Sequence, residues 1–99
     1  MLELDKVDRA LFAPLVGETF EVVFVDGRLP IVLKEVKAAG TARPGASRDP
    51  FALAFHGGPK LRLPQQIYRL ENAKLGTMDV FVVQTGADAS ASYFEVIFS

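Results

Sequence analysis

From Glu18 onward the apolar residues of this chain recur at every second position, and this period of two restricts the fold more than any other feature. Successive side chains of a β-strand point to opposite faces, so such alternation is typical of a strand with one face in a core. Phe20, Val22 and Phe24, for example, share one face. The pattern predicts about six strands, in the segments 18–25, 29–36, 50–56, 66–71, 77–84 and 92–98.

Turn-forming residues separate these segments and indicate how they connect. Asp26–Gly27 lies between two apolar runs and predicts a tight hairpin. Gly57–Gly58–Pro59 and the segment 72–76 also break the pattern, and 38–49 is a long loop rich in small residues. Short turns between strands favour a small antiparallel barrel or sandwich. Because about six strands leave no spacious lumen, we expect a filled core.

The residues before the strands predict one short helix. Between residues 4 and 16 the apolar side chains are spaced by three and four, and Asp8 is suited to cap the helix. Pro14 limits its length and Gly17 ends it. We expect a single N-terminal helix of about two turns.

Length and composition favour one domain. A chain of 99 residues does not build two independent cores, so 1–99 is expected to be a single β-rich domain. Eight Phe residues, within a hydrophobic content of 49%, supply enough apolar surface for a core at this length.

Charge and cysteine content argue against several function classes. The net charge is −1, so the chain lacks the basic excess with which nucleic-acid binders neutralise phosphates. The absence of cysteine excludes thiolate metal sites and disulfides, and it suits the reducing cytoplasm. The charged N-terminus and the lack of a long apolar run predict neither a signal peptide nor a membrane span. We therefore expect a cytoplasmic protein that binds neither nucleic acid nor membrane.

Candidate catalytic groups lack the partners that catalysis requires. His56 is the only histidine, and no metal-ligand spacing surrounds it. The Gly57–Gly58–Pro59 turn lacks the Lys and Ser or Thr of a phosphate-binding loop. The sequence predicts no catalytic, cofactor or metal site, and hence no enzyme.

Partner contacts are expected on strand faces and at a sheet edge. The segment 77–84 is apolar on both faces, which is typical of a strand that is doubly buried or meets a neighbouring subunit. The last strand, 92–98, is predicted to be an edge that could accept a strand from another chain. A group of basic residues could contact an acidic or aromatic partner together with Tyr68, although ordinary charge on the polar face of strands is the favoured interpretation. The group consists of Arg43, Arg48, Lys60, Arg62 and Arg69. The predicted contacts are Phe81, Val83, Tyr93, Glu95, Ile97, Arg62 and Tyr68.

Three segments resemble a small bacterial family of domains of unknown function. They are FAPLVGETFEV at 12–22, LPQQIYRLENAKLG at 63–76, and MDVFVVQTG at 78–86 leading into the closing YFEVIF. Gln66 departs from the family pattern, in which a Gly is expected. The resemblance implies no catalytic residues. It implies a context beside phage-tail-collar-like proteins of the microcystin-dependent type.

Two functions from different classes follow. The first is a non-enzymatic structural, adaptor or assembly protein, accessory to a phage-tail-like or surface-fibre system, which binds a protein partner or forms a homo-oligomer. The alternative is a small-molecule or carbohydrate binding domain that uses Tyr68, Tyr93 and His56 around a shallow groove. The absence of tryptophan weakens the carbohydrate alternative, because sugars usually stack on a broad aromatic face.

Overall fold

The computed structural model describes residues 2–40, 44–45 and 48–99 and shows an antiparallel β-barrel. This confirms the predicted fold class. The strands are β1 (Thr19–Phe24), β2 (Gly27–Ala38), β3 (Phe51–Gly57), β4 (Gln66–Asn72), β5 (Gly76–Ala87) and β6 (Ser92–Phe98). The part of the long loop at 41–43 and 46–47, which includes Arg43, lies outside the described residues.

The sheet closes on itself in the order β1-β2-β3-β6-β5-β4, with β4 pairing back onto β1. β6 pairs with β3 along its whole length, from Ser92 to Phe98, and with β5 from Ser92 to Glu95. The prediction that the last strand is an edge is therefore wrong for Ser92–Glu95, whereas residues 96–98 pair with β3 alone. Alternation shows which face of a strand is buried, whereas edge status depends on which other strands lie beside it.

The barrel interior is filled by the alternating apolar side chains, as expected. Phe55 is fully buried and packs edge-to-face on Phe20, with 5.2 Å between the ring centroids. Near one end, Phe51 stacks on Phe98 at 4.8 Å and Phe12 contacts both rings. Aromatic pairs of this kind add about 0.5–1.5 kcal/mol each beyond the burial of their area.

The N-terminal segment covers that end of the barrel with less regular helix than predicted. The α-helix α1 spans only Arg9–Phe12, and 3-10 turns lie on either side at Leu4–Lys6 and Ala13–Leu15. The predicted cap is confirmed, because an Asp8 carboxylate oxygen accepts from the Leu11 N–H at 3.0 Å. Pro14 explains the shortness, because proline supplies no N–H to continue the helix.

Arg48 ties this segment to the rest of the fold. Its guanidinium donates to the carbonyl oxygens of Leu4 and Val7 at 2.6 and 2.7 Å, and to Ser99 at 3.3 Å. It also lies over the rings of Phe51 and Phe98. One side chain thus joins the two chain ends and the start of β3.

The first hairpin is shifted by one residue from its predicted position. Phe24 pairs with Gly27, so the two-residue turn is Val25–Asp26 and Gly27 already belongs to β2. Pro30 lies where β2 has β1 as its only partner, because pairing with β3 starts at Val32. A residue without an N–H is tolerated there, since no second ladder requires it.

The other end of the barrel is crossed by the segment 60–64. The side chains of Leu61 and Leu63 are partly buried against the core. The Gln84 side-chain amide accepts from the Leu63 N–H at 2.8 Å and donates to the Leu61 carbonyl oxygen at 2.8 Å. Within the described residues, no helix is long and apolar enough to cross a membrane.

Candidate protein-binding surface

Three large apolar side chains are exposed on the outer face of β4, β5 and β6. Ile67 is 67% exposed, Phe81 52% and Ile97 60%. We refer to these three residues as the apolar patch. The structure therefore leaves two of the predicted contacts, Phe81 and Ile97, uncovered by the chain itself.

The strand register places two residues of the patch side by side, because Ile67 and Phe81 are direct cross-strand partners in the β4–β5 ladder. The β5–β6 ladder ends at the pair of Val83 and Glu95, and Ile97 lies two residues beyond that pair on β6. Phe81 thus lies on the strand between those that carry Ile67 and Ile97. Val83, a further predicted contact, is half-buried beside it.

Paired charges flank the apolar patch on one side. The Arg69 guanidinium binds both carboxylate oxygens of its cross-strand partner Asp79, at 2.9 and 3.2 Å. The hydrogen bond and the positive charge of Arg69 hold the pKa of Asp79 below its ordinary value. Asp79 is therefore ionised at neutral pH, and the pair presents one charge of each sign next to the patch.

A second ion cluster lies further along the same outer surface. Arg28 donates to Glu71 at 2.7 Å and to Glu21 at 3.3 Å. The hydrogen bond from Arg28 to Glu71 is the largest contribution that raises the pKa of Arg28. These charges compensate one another largely within the chain.

Glu95, another predicted contact, is engaged in an ion pair over a different part of the wall. Its carboxylate lies 3.6 Å from the Lys37 ammonium. Lys37 and Glu95 flank β3 in the ladders, opposite Ala52 and Ala54 respectively, so the pair reaches across the strand. The two alanines leave room for this crossing, and Ala52 is only 2% exposed.

Tyr93 is held in a local cluster on the outer face of β6. Its hydroxyl donates to an Asp88 carboxylate oxygen at 2.5 Å, and its ring lies edge-on to His56 at 4.7 Å. The hydrogen bond from Tyr93 holds the pKa of Asp88 below its ordinary value, and that to Asp88 raises the pKa of Tyr93. The backbone N–H groups of Ser90 and Ala91 also donate to Asp88, so the cluster joins Tyr93 to the turn at 88–91.

The structure corrects the placement of Tyr68 as a surface contact. Tyr68 is 5% exposed, packs edge-on to Phe24, and donates its hydroxyl to the Pro64 carbonyl oxygen at 2.6 Å. Burial raises the pKa of its hydroxyl. Because Tyr68 lies inside the barrel while Tyr93 and His56 meet outside, these three residues do not line one groove.

The basic residues do not form one patch. Arg69 pairs with Asp79, and Arg48 binds backbone carbonyls. Arg62 and Lys60 are exposed on the segment 60–64, and the structure shows no ion pair for either among the described residues. Arg62, the last of the predicted contacts, therefore belongs to the barrel end and not to the apolar patch.

Sequence reasoning missed Ile67 and Gln84. The signal for Ile67 is visible in the run QIYRLE, where it shares the polar face with Arg69 and Glu71. The signal for Gln84 is a polar residue in phase with the buried Met78, Val80 and Val82. Ile67 is an apolar residue on a polar strand face, and Gln84 is a polar residue on an apolar strand face. A residue that differs in this way from the others on its face indicates a contact other than those of the regular strand pattern.

Comparison with known proteins gives one match. The family model described as Domain of unknown function (DUF6916) matches residues 7–98, which include all six strands and the apolar patch. Comparisons with curated proteins and with solved structures find no significant match. Among the described residues, no group of three or more His, Asp or Glu side chains is placed to hold a metal ion.

Proposed function

The chain belongs to this family of domains of unknown function, and we propose that it is a non-enzymatic assembly module that docks on a second copy of itself. The docking surface is the apolar patch. The observation that carries the proposal is the exposure of Ile67, Phe81 and Ile97 on three adjacent strands of a closed barrel.

Folding alone gives no reason for these side chains to be apolar. The barrel core is already filled from the inner face of every strand. A polar residue at an outward position would keep the strand pattern and avoid exposing apolar area to water. Contiguous exposed apolar side chains rimmed by polar groups are typical of interaction sites.

The charges beside the patch favour a second copy as its partner. A two-fold interface brings the same surface of both copies together, so it must be self-complementary. Arg69 and Asp79 present one positive and one negative charge next to the patch. A copy rotated by two-fold symmetry can place its Asp79 near the first copy's Arg69. The net charge of −1 adds little repulsion between the two copies.

The size of the patch fits the centre of such an interface. A stable interface buries roughly 800 Å² on each partner, with an apolar core and a polar rim. Three large side chains supply the core, and the ion pairs of Arg69 and Arg28 supply polar groups for the rim. Aromatic side chains near the centre contribute most of the affinity in many interfaces, which gives Phe81 the leading role.

Light scattering during size-exclusion chromatography tests this proposal. The wild-type chain is expected at twice its mass of 10.8 kDa at high concentration, and at the monomer mass on dilution. Phe81→Glu and Ile67→Glu are expected to raise the dissociation constant by about tenfold or more, because each buries a charge in an apolar interface.

Val16→Glu is the matched control, because Val16 is an exposed apolar residue that precedes β1, next to Gly17, whose N–H donates to the Leu33 carbonyl oxygen of β2. It makes the same type of change outside the patch and is expected to leave the dimer intact. A wild-type protein that stays monomeric at every accessible concentration would rule out the second copy. Dimers that survive both patch variants would place the interface elsewhere.

A finer assignment, accessory to a phage-tail-like or surface-fibre system, rests on the family resemblance alone. It predicts that the protein copurifies with the product of a neighbouring tail-collar-like gene when the two are coexpressed. If the dimer forms but no such complex does, the assembly role stays and the tail context is lost.

A further inference from the structure

A slot separates the segment 60–64 from the end of β5 and the turn after it. One wall consists of residues 60–64 and the other of residues 84–89. The slot contains no residue of the apolar patch. An inference about it is therefore independent of the proposed dimer.

The edge of β5 is open along this slot. The β4–β5 ladder ends where Gln66 pairs with Val82, and beyond that point β5 pairs only with β6. The chain before β4 diverges from β5 there and is attached through the Gln84 side chain rather than through a backbone ladder. The backbone groups of β5 that face the slot are thus left without a neighbouring strand.

The side chains along this edge leave the backbone accessible. Gly86, Ala87 and Ala89 are small, and the β5–β6 register shifts between Gln84 and Gly86. The Gly86 carbonyl oxygen accepts a long contact from the Gln84 amide, at 3.4 Å. An unpaired strand edge of this kind accepts an extended peptide as an added strand.

The charges around the slot select the peptide. Lys60 and Arg62 on one wall are exposed, and no ion pair is shown for either among the described residues. Asp88 on the other wall is already engaged, because it accepts from the Tyr93 hydroxyl and from two backbone N–H groups of the turn. These donors are neutral and leave Asp88 charged, so the slot carries two positive charges against one negative charge and its net charge is positive.

The backbone of Lys60 provides a second indication. Its φ is 62°, and it is the only residue other than glycine with a positive φ among the described residues. Glycine would adopt this conformation without strain, yet a lysine stands there. The chain thus accepts backbone strain at a position that carries one of the two cations of the slot.

We propose that this slot binds an extended acidic segment of another protein, which adds as a strand to the open edge of β5 and pairs its carboxylates with Lys60 and Arg62. The backbone supplies hydrogen bonds that are independent of sequence. The two cations supply the preference for an acidic segment.

Fluorescence anisotropy with labelled seven-residue peptides tests the preference. A peptide that alternates Thr and Glu is expected to bind the full chain, whereas versions with Gln or Lys in place of Glu bind more weakly. Arg62→Glu is expected to weaken binding of the acidic peptide by roughly three- to tenfold. Lys34→Glu makes the same charge change at an exposed position on β2 and is expected to alter binding by less than about twofold, since distant charges are screened.

Lys60→Gly separates binding from folding. Glycine relieves the backbone strain at this position, so the variant is expected to unfold at the same or a higher denaturant concentration than the wild type while it binds the acidic peptide less well. Hydrogen exchange then checks the mode of binding. The peptide is expected to slow exchange of the amides at 85–87.

Three results would overturn the proposal. One is the absence of saturable binding of the acidic peptide up to about 1 mM. Another is equal binding of the acidic, neutral and basic peptides. The third is binding without slower exchange at 85–87, together with full competition by inorganic phosphate, which would reveal an anion site and not an added strand.

Discussion

Two parts of the outer barrel wall differ in how they meet water. Over β3, the outward side chains are Ala52 and Ala54, and the Lys37–Glu95 ion pair crosses above them. Over β4 and β5, the outward positions carry Ile67 and Phe81, and no side chain crosses them to a comparable extent, since both are more than half exposed. We call these the closed face and the open face.

The two faces differ in how much apolar side-chain area they expose to water. Small residues under a long charged pair give a face with little apolar area in contact with water. The open face has the opposite composition, with large apolar residues and with charges at its border that pair with each other. The same fold thus contains one face that is covered by its own side chains and one on which large apolar side chains are exposed.

The largest expected effect on stability comes from replacing a phenylalanine with alanine on the inner face of the barrel wall, compared with the same replacement on the outer face. Phe55→Ala removes a fully buried ring and is expected to lower the free energy of unfolding by about 3–5 kcal/mol. Phe81→Ala makes the same change on the open face and is expected to shift the free energy of unfolding by less than about 0.5 kcal/mol. Urea unfolding followed by circular dichroism measures both.

The comparison needs protein dilute enough to be monomeric, because dimerisation would stabilise the wild type by mass action. A large loss for Phe81→Ala in the monomer would mean that Phe81 supports the barrel. The open face would then be part of the fold and not a binding surface.

Overfilling the closed face has the next largest expected effect. Ala52→Phe places a ring where only 2% of the alanine is exposed, so the ring must displace its neighbours. We expect a loss of about 1–3 kcal/mol. Ala38→Phe, at the exposed end of β2, is the matched control and is expected to stay within about 0.5 kcal/mol of the wild type. Equal free energies of unfolding for the two variants would show that the closed face can accommodate a ring at position 52 without displacing its neighbours.

Local patterns in the sequence predicted the strands well because each depends on a few neighbouring residues. Alternation placed Met78, Val80 and Val82 on one face of their strand, which the structure shows to be buried, and the cap at Asp8 needed only its own turn. The outward placement of Phe81 and Ile97 follows from the same alternation.

Properties that depend on pairing between distant strands could not be predicted in this way. β6 lies beside β3 because Phe51 and Phe98, far apart in sequence, start the β3–β6 ladder. Tyr68 was expected at the surface because basic residues lie near it in the sequence, whereas its pairing with Val80 places it on the inner face of the barrel. Gln84 could not be recognised as the link to the barrel end, since its partners Leu61 and Leu63 precede β4.

The smallest expected effect concerns how the free energy of unfolding changes at low pH, and it tests the ion pair that borders the open face. Arg69 holds the pKa of Asp79 below its ordinary value in the folded chain. A carboxylate with a depressed folded pKa contributes stability above its unfolded pKa, about 3.9, and loses it as the pH falls through the folded value. Asp79→Asn is therefore expected to make stability fall less steeply as the pH drops below about 4. Because the pair is exposed, the effect is small and weakens with salt.

Urea midpoints across this pH range measure the slope, and Asp26→Asn in the first hairpin turn serves as the control carboxylate. In dilute monomer the difference between the wild type and Asp79→Asn reports only the pairing within one chain. If a second copy brings its own Arg69 to Asp79, the difference grows with protein concentration, because the dimer then holds the pKa lower still. A slope that is independent of concentration, in a protein that does dimerise, would place Asp79 outside the interface and shift the interface towards Ile97.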